Sequence, residues 1–247
     1  MDLGLEGRTA IVCGASAGIG LACAEALARE GANVTMFARR RDVLEREAER
    51  VGALGVRGDV RNPRDLRNVV DRTLAAFGGI DVLVNNSGGP PRGRAVDADP
   101  EALESAVDLL LLSVVRLTML CLPELERSGH GRVIAIESSS VREPVDNLAL
   151  SNAVRPGVVG WLKTLAREVG PAGVTVNAIA PGRIDTERIR ELYPEGPSPE
   201  ELAPIPLRRL GEPREVADVV CFLASDRASY VTGALVAVDG GLTRGLL

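Results

Sequence analysis

The sequence has little of what usually carries metal, redox or proton chemistry. It contains one histidine, His130, and one lysine, Lys163. Its four cysteines, Cys13, Cys23, Cys121 and Cys221, lie far apart inside apolar runs. None has the spacing of a zinc ligand set, which with a single histidine argues against a zinc site. They read as buried free thiols of a reducing compartment. There is no uninterrupted membrane span, because the longest apolar stretch, Leu109 to Leu122, is broken by Ser113, Arg116 and Thr118. The first residues, Met1 to Glu6, lack the basic-then-apolar form of a signal peptide, so a cytoplasmic location is expected. A formal net charge of −5 gives no support to nucleic-acid binding. Internal repeats and low-complexity linkers are absent as well.

What is present is a chain of 247 residues, 45% hydrophobic, enough for a substantial core. Strand-like and helix-like segments alternate throughout, as in an α/β protein with a parallel sheet covered on both faces. Strands are expected at about Thr9–Cys13, Asn33–Ala38, Leu54–Gly58, Ile80–Val84, Arg132–Ile136, Gly173–Ile179 and Ala234–Val238. Helices are expected at about Ile19–Glu30, Arg41–Val51, Pro63–Phe77, Pro100–Arg127, Leu148–Val169 and Glu212–Leu223. The long helix is apolar nearly all round from Val107 to Leu122, which predicts burial against both the sheet and another subunit. Residues 183–210 carry five prolines and a short helix at Glu187–Leu192. They read as a mobile insertion over a site.

The chain is organised around Cys13-Gly14-Ala15-Ser16-Ala17-Gly18-Ile19-Gly20. It follows an apolar strand and opens a helix, the arrangement that offers backbone N–H groups and a positive helix end to a phosphate. Gly14 supplies the tight turn, Gly18 the close approach to a pyrophosphate, and Gly20 the close packing of helix on strand. An NAD site usually ends its second strand in a carboxylate that takes the ribose hydroxyls. Here that position is Ala38, followed by Arg39-Arg40-Arg41. A guanidinium pairs with a 2′-phosphate through two parallel hydrogen bonds, so NADP(H) is expected, with Arg39 the first contact. The alternatives are NAD(H), or an arginine run solvated and countered by Asp42 and Glu45.

Five segments in order carry a family resemblance: Gly14–Gly20, Asp59, Asn85-Asn86-Ser87-Gly88, Pro181-Gly182-Arg183-Ile184-Asp185-Thr186 and Val238-Asp239-Gly240-Gly241. The chain resembles the short-chain dehydrogenase/reductase family, in its 3-oxoacyl-(acyl carrier protein) reductase-like branch, from Gly7 to Gly241. The resemblance implies one Rossmann domain over residues 1–247 with a doubly wound, seven-stranded parallel sheet. It also implies a nicotinamide dinucleotide, a small carbonyl or alcohol substrate, and a homotetramer or homodimer. Carried over, Gly14, Ser16, Gly18, Ile19 and Gly20 surround the pyrophosphate and ribose. Asp59 meets the adenine amino group, with Val60 alongside. Asn85 holds the sheet edge near the cofactor, Asn86 and Ser87 follow it, and Gly88 makes room. Ile184 and Thr186 meet the nicotinamide carboxamide and a nearby phosphate, and Pro181 and Gly182 also bind the cofactor.

The family's chemistry uses a serine, a tyrosine, a lysine and an asparagine. Ser138 falls in the serine position, but Ser151 stands where the tyrosine should be, Arg155 where the lysine should be, and Leu110 where the asparagine should be. The segment Leu150-Ser151-Asn152-Ala153-Val154-Arg155 resembles an atypical subgroup without the usual tetrad. Residues 151 and 155 share one helix face. Arg155 can hold a ribose hydroxyl but does not deprotonate, and Ser151 is a far weaker acid than tyrosine. Pro156 frees the carbonyl of Asn152 and predicts a kink. Glu137, Ser139, Arg142, Glu143 and Tyr193 are the candidate replacements. His130, in a turn before the fifth strand, is expected to be remote from the site. Two functions remain open: an oxidoreductase with Ser138, Ser151 and Arg155 at its centre and a non-standard proton donor, or a catalytically inactive dinucleotide-binding sensor or partner subunit. A structural domain without a dinucleotide is the weakest reading, given the intact binding motifs.

Overall fold

A computed structural model describes residues 2–245, the side chain of Leu192 excepted. Seven strands, β1 (Thr9–Cys13), β2 (Asn33–Ala38), β3 (Leu54–Arg57), β4 (Val82–Asn85), β5 (Arg132–Ile136), β6 (Thr175–Pro181) and β7 (Leu235–Val238), form one sheet. Their order is β3-β2-β1-β4-β5-β6-β7, and every neighbouring pair is parallel. This is the doubly wound Rossmann-type sheet. The chain reverses direction across the sheet between β1 and β4, the switch point where such folds bind ligands at the strands' carboxyl ends.

The central strands are buried on both faces, and their side chains alternate. Val12, Val84 and Ile134 meet α1 (Gly18–Arg29), α2 (Arg41–Val51) and α9 (Pro213–Ala224). Ile11, Leu83 and Val133 meet α3 (Pro63–Phe77), α5 (Ser113–Arg127) and α6 (Ala149–Val169). Leu27, Leu66 and Leu117 are among the fully buried side chains of these helices. Each such burial contributes roughly 1.5–3 kcal/mol. Local signals set the helix ends. Asn62 accepts the N–H of Arg64 ahead of Pro63, and Gly78 closes α3 at φ +79°.

The long apolar helix differs from expectation at its centre. α4 (Pro100–Val107) passes through a π-helical turn, Asp108–Leu112, before continuing as α5. By length and composition the stretch Pro100–Arg127 meets the criterion for a spanning helix, in spite of Ser113, Arg116 and Thr118. Here one side of it packs on the sheet through Leu117, Cys121 and Leu125, while Met119 is 51% exposed. Pro156 does not break α6, which runs unbroken to Val169. The first turns of α6 are tied down by the Asn152 side chain, which accepts from Val145 N and donates to Val145 O at 3.1 and 3.0 Å. The 183–210 segment carries α7 (Glu187–Leu192) and a second short helix, α8 (Pro199–Leu202), opened by a Ser198–Glu201 capping box. Ile184 bridges to Gly211, and Ile205 is buried, so the segment is built onto the sheet's end.

Candidate active site

The glycine turn ends β1 and is fixed by what surrounds it. Gly14 and Gly18 have φ +60° and +55°, the left-handed region open to glycine. A Cβ on Gly20 would overlap the Gly14 carbonyl oxygen, so the third glycine is required by close packing of α1 on β1. Asn86 Nδ2 donates to the Cys13 carbonyl at 3.2 Å and clamps the turn. A Cβ on Gly18 would lie 3.3 Å from Thr186 Cγ2, so the glycine turn and the loop after β6 face each other closely.

Between them opens a cleft of about 770 Å³. It brings together Gly14, Gly18 and Ile19; Asn86, Ser87 and Gly88; Pro181, Gly182, Ile184 and Thr186; and Ser138, Ser151 and Arg155. Ser16 and Gly20 are not on its wall: Ser16 is 8% exposed and Gly20 is buried under the turn. Asp59, Arg39 and Arg40 lie at the end of the sheet beyond the glycine turn, past β2 and β3. Asp59 is held by Arg61, whose Nη2 donates to Oδ2 at 2.8 Å, and this bond keeps its pKa below the usual carboxylate range. Arg40 pairs with Glu187 at 3.2 Å and Arg41 with Glu45, leaving Arg39 exposed and without a carboxylate partner among the described residues. Asn85 points elsewhere: its Nδ2 donates to Thr118 Oγ1 on α5 at 3.0 Å, a tie between sheet and helix. Val60 borders a small cavity behind the cleft.

Ser138 caps a 3-10 turn, accepting the Ser140 N–H at 3.1 Å. That bond uses a lone pair and leaves its own hydrogen free to donate. Ser151, 4% exposed, shares a hydrogen bond of 3.0 Å with Ser140 Oγ. Arg155 turns back to the end of β5, where its Nη1 donates to Glu137 Oε2 at 3.0 Å and to the Ile136 carbonyl at 3.4 Å. Glu137 continues β5 in extended form, its N–H bonded to Ile179 O. Both side chains are nearly enclosed, and burial pushes the Glu137 carboxyl up to about 7 while Arg155 pulls it back. Leu110 sits in the π-helical turn, 1% exposed, packed with Ala106, Leu150 and Val154.

The other candidates separate. Ser139, Glu143 and Tyr193 line the cleft, but Glu143 accepts the backbone N–H groups of Arg244 and Gly245. Arg142 donates to the Leu235 carbonyl and does not line the cleft. His130 lies at the opposite end of β5, its ring nitrogens 2.8 Å from Asp226 Oδ1 and 2.9 Å from Ala224 O. The four cysteines are buried and free. No cluster of metal-ligating residues occurs among the described residues.

Two cationic residues at the cleft escaped the sequence reading. Arg188 donates to the Pro90 carbonyl, and its guanidinium occupies the space a side chain on Gly89 would need. Partial desolvation, then the charges of Arg92 and Arg155, hold its pKa below the usual arginine range. The glycine pair Gly88-Gly89 was the available signal. Gly88 faces open space, and Gly89 leaves room for the Arg188 guanidinium.

Comparison with known proteins agrees with this geometry. Residues 14–243 match the family model described as Enoyl-(Acyl carrier protein) reductase. The chain is 37% identical to the 3-oxoacyl-[acyl-carrier-protein] reductases of Vibrio cholerae and Escherichia coli, over 97% of this chain and 99% of each relative. Among solved structures, L-sorbose reductase from Gluconobacter frateurii, complexed with NADPH and L-sorbose, superposes with a TM-score of 0.93 at 32% identity, covering 100% of both chains. An NADPH-bound short chain oxidoreductase from Pseudomonas aeruginosa PAO1 containing an atypical catalytic center superposes at 0.91 with 30% identity, covering 96% of this chain and 97% of that one. The sheet order, the cleft and these likenesses place the chain in the short-chain dehydrogenase/reductase family, in the branch of the 3-oxoacyl-(acyl carrier protein) reductases.

Proposed function

We propose that the chain is an NADP(H)-dependent reductase acting on a carbonyl/alcohol pair, of an atypical subgroup in which Ser151 and Arg155 replace the tyrosine and lysine. The observation that carries this reading is the single cleft in which the glycine turn, the loops after β4 and β6, and Ser138, Ser151 and Arg155 meet. The NADPH bound by the sorbose reductase and by the Pseudomonas protein supports the choice of cofactor. The cradle fits a dinucleotide. Gly14 and Gly18 bring the backbone close at positive φ, and a Cβ on Gly88 would stand in open cleft.

In this reading residues 1–247 act as one dinucleotide-binding unit. Gly14, Ser16, Gly18, Ile19 and Gly20 form the pyrophosphate cradle. Asp59 and Val60 border the adenine, and Arg39, with Arg40 beside it, takes the 2′-phosphate. Asn86, Ser87, Gly88, Pro181, Gly182, Ile184 and Thr186 enclose the nicotinamide half. When bound, the reduced nicotinamide supplies a hydride to a carbonyl carbon. Ser138 donates its free hydrogen to the carbonyl oxygen and orients it. Arg155 uses Nη1 on Glu137, while Nε and Nη2 have no protein acceptor among the described residues and can hold the ribose. Ser151, or a water, passes the proton to the oxygen. Exposed Met119 on α5, with Leu103 on α4, suits a homodimer or homotetramer of a cytoplasmic protein.

The second reading is a catalytically inactive dinucleotide-binding sensor or partner subunit. The apolar plug around Leu110 favours it, since the family's relay position cannot carry protons. Assays of wild type and Ser138→Ala against ketones, β-ketoesters and diketones decide between them. Turnover in the wild type that is lost in the variant, with NADPH binding kept, supports the reductase. Binding without turnover across the panel supports the sensor.

A further inference from the structure

A serine hydroxyl can pass a proton on but is too weak an acid to be its source at neutral pH. The site therefore needs a store for the proton that balances reduction. On the cleft wall beside Ser138, the acid enclosed by the fold is Glu137, whose side chain is 2% exposed. Its Oε2 is held by Arg155, and Oε1 has no hydrogen-bond partner among the described residues. Behind it lies a cavity of about 10 Å³, lined by Asn85, Asn86, Ser113, Leu110, Glu137 and Arg155 among others. That is close to the space of one water. Glu137 thus stands between the cleft and a pocket at the position where Leu110 has displaced the polar relay.

We propose that Glu137 is the proton store of this site and the group that replaces the missing tyrosine. The inference rests on the reductase reading given above. In the reduction, the carbonyl carbon gains a hydride from the reduced nicotinamide. Its oxygen gains the Glu137 proton, directly or across one hydroxyl or water. The C–H bond of the reduced nicotinamide, the C=O π bond and the Glu137 O–H bond break, a C–H and an O–H bond form on the substrate, and the alcohol and the oxidised dinucleotide leave. The carboxylate left behind is held by Arg155 until it takes a proton from solvent.

The surroundings permit this cycle. From α6, Arg155 faces the carboxyl and stabilises its charged form. From β1, the Cys13 thiol borders the rear cavity, and burial pushes it up to about 12, so it stays neutral. From the loops after β4 and β6 and from α7, Arg92, Arg183 and Arg188 line the cleft. Glu143, Asp146, Glu187 and Tyr193 complete its titratable lining. Arg183 is engaged by the Glu201 carbonyl and Glu187 by Arg40. Burial and Arg155 oppose each other and leave the carboxyl near neutrality, the range in which a general acid works best.

The test has a readout that needs no turnover. The C=O band of a protonated carboxyl is followed by infrared difference spectroscopy across pH in the cofactor-free protein. A band titrating near 7, absent in E137Q and moved in midpoint in E137D, supports the proposal. Single-turnover NADPH oxidation is then read on the same proteins. E137Q should be slower by at least about 100-fold, with NADPH affinity kept, and should lose the fall in rate that the wild type shows as pH rises through the band's midpoint. E137D should retain that fall at its own midpoint. A band confined to the ordinary carboxylate range, or an E137Q profile parallel to the wild type, overturns the proposal. A band near 7 with no carbonyl compound oxidising NADPH refutes the reductase reading, and the catalytic role with it, while the protonation of Glu137 stands.

Discussion

Removing the Glu137 carboxylate should flatten the protein's pH–stability curve on the acid side of neutrality. In the folded chain the group's pKa lies near 7, against 4.5 for the free side chain, because burial outweighs the attraction of Arg155. The folded state therefore binds this proton more tightly than the unfolded state does. Between the two values it carries more protons, so stability falls as pH rises from the lower to the upper value and is level beyond it. The full fall is about 3 kcal/mol for this one group. Glutamine has the same shape and does not titrate. In Glu137→Gln the unpaired Arg155 shifts the whole curve by an amount independent of pH, and the other titrating groups act alike in both proteins. Urea unfolding of wild type and variant at about pH 5 and about pH 8 isolates the term. The wild-type advantage should shrink by about 2.5 kcal/mol between the two conditions. Equal differences at both pH values would show that Glu137 is charged throughout, and the electrostatic account of the site would be wrong.

Other perturbations reach different parts of the cleft. Arg39→Ala should weaken NADPH binding about tenfold or more, the loss of one charge-assisted contact to a phosphate, and leave NADH binding unchanged. Nicotinamide fluorescence titration reads both, and equal losses for the two cofactors would remove Arg39 from the 2′-phosphate. Arg40→Ala should cost less, because Arg40 is shared with Glu187. Gly20→Ala drives a methyl group into the Gly14 carbonyl and should destabilise the fold by roughly 1–3 kcal/mol in urea, with NADPH binding lost. A variant as stable as wild type would mean that α1 is not packed on the turn as described. Ser138→Ala should abolish turnover and keep the NADPH dissociation constant within about threefold, a change under 1 kcal/mol.

The sheet was legible because its strands are short, apolar and bounded by glycine, proline or asparagine, so periodicity and punctuation agree. β1 and β2 fall where the pattern puts them, and Asn62-Pro63 and Gly78 mark both ends of α3. The π-helical turn at Asp108–Leu112 was not legible, since one extra residue in a turn leaves an all-round apolar pattern unchanged. Pro156 lies inside a helix whose start is anchored by a tertiary contact, Asn152 to Val145, which the sequence pattern does not show. At the site, residue type in motif order located the cleft wall, but side-chain partners were beyond it. Asn85 is spent on Thr118, Asp59 on Arg61, and Ser151 on Ser140. Glu137 could be named as an acid near the cleft, but its pairing with Arg155 depends on a helix reaching back to a strand end 18 residues earlier.

The measurement closest to the central claim is a single turnover. Concentrated protein is mixed with stoichiometric NADPH and then with the carbonyl panel, with nicotinamide fluorescence reporting binding and absorbance reporting oxidation. The account predicts binding followed by loss of the reduced-nicotinamide absorbance with at least one ketone. Failure to bind either NADPH or NADH would contradict it, because the Gly14–Gly20 turn would then be packing glycines under an ordinary helix and not a cradle for a dinucleotide.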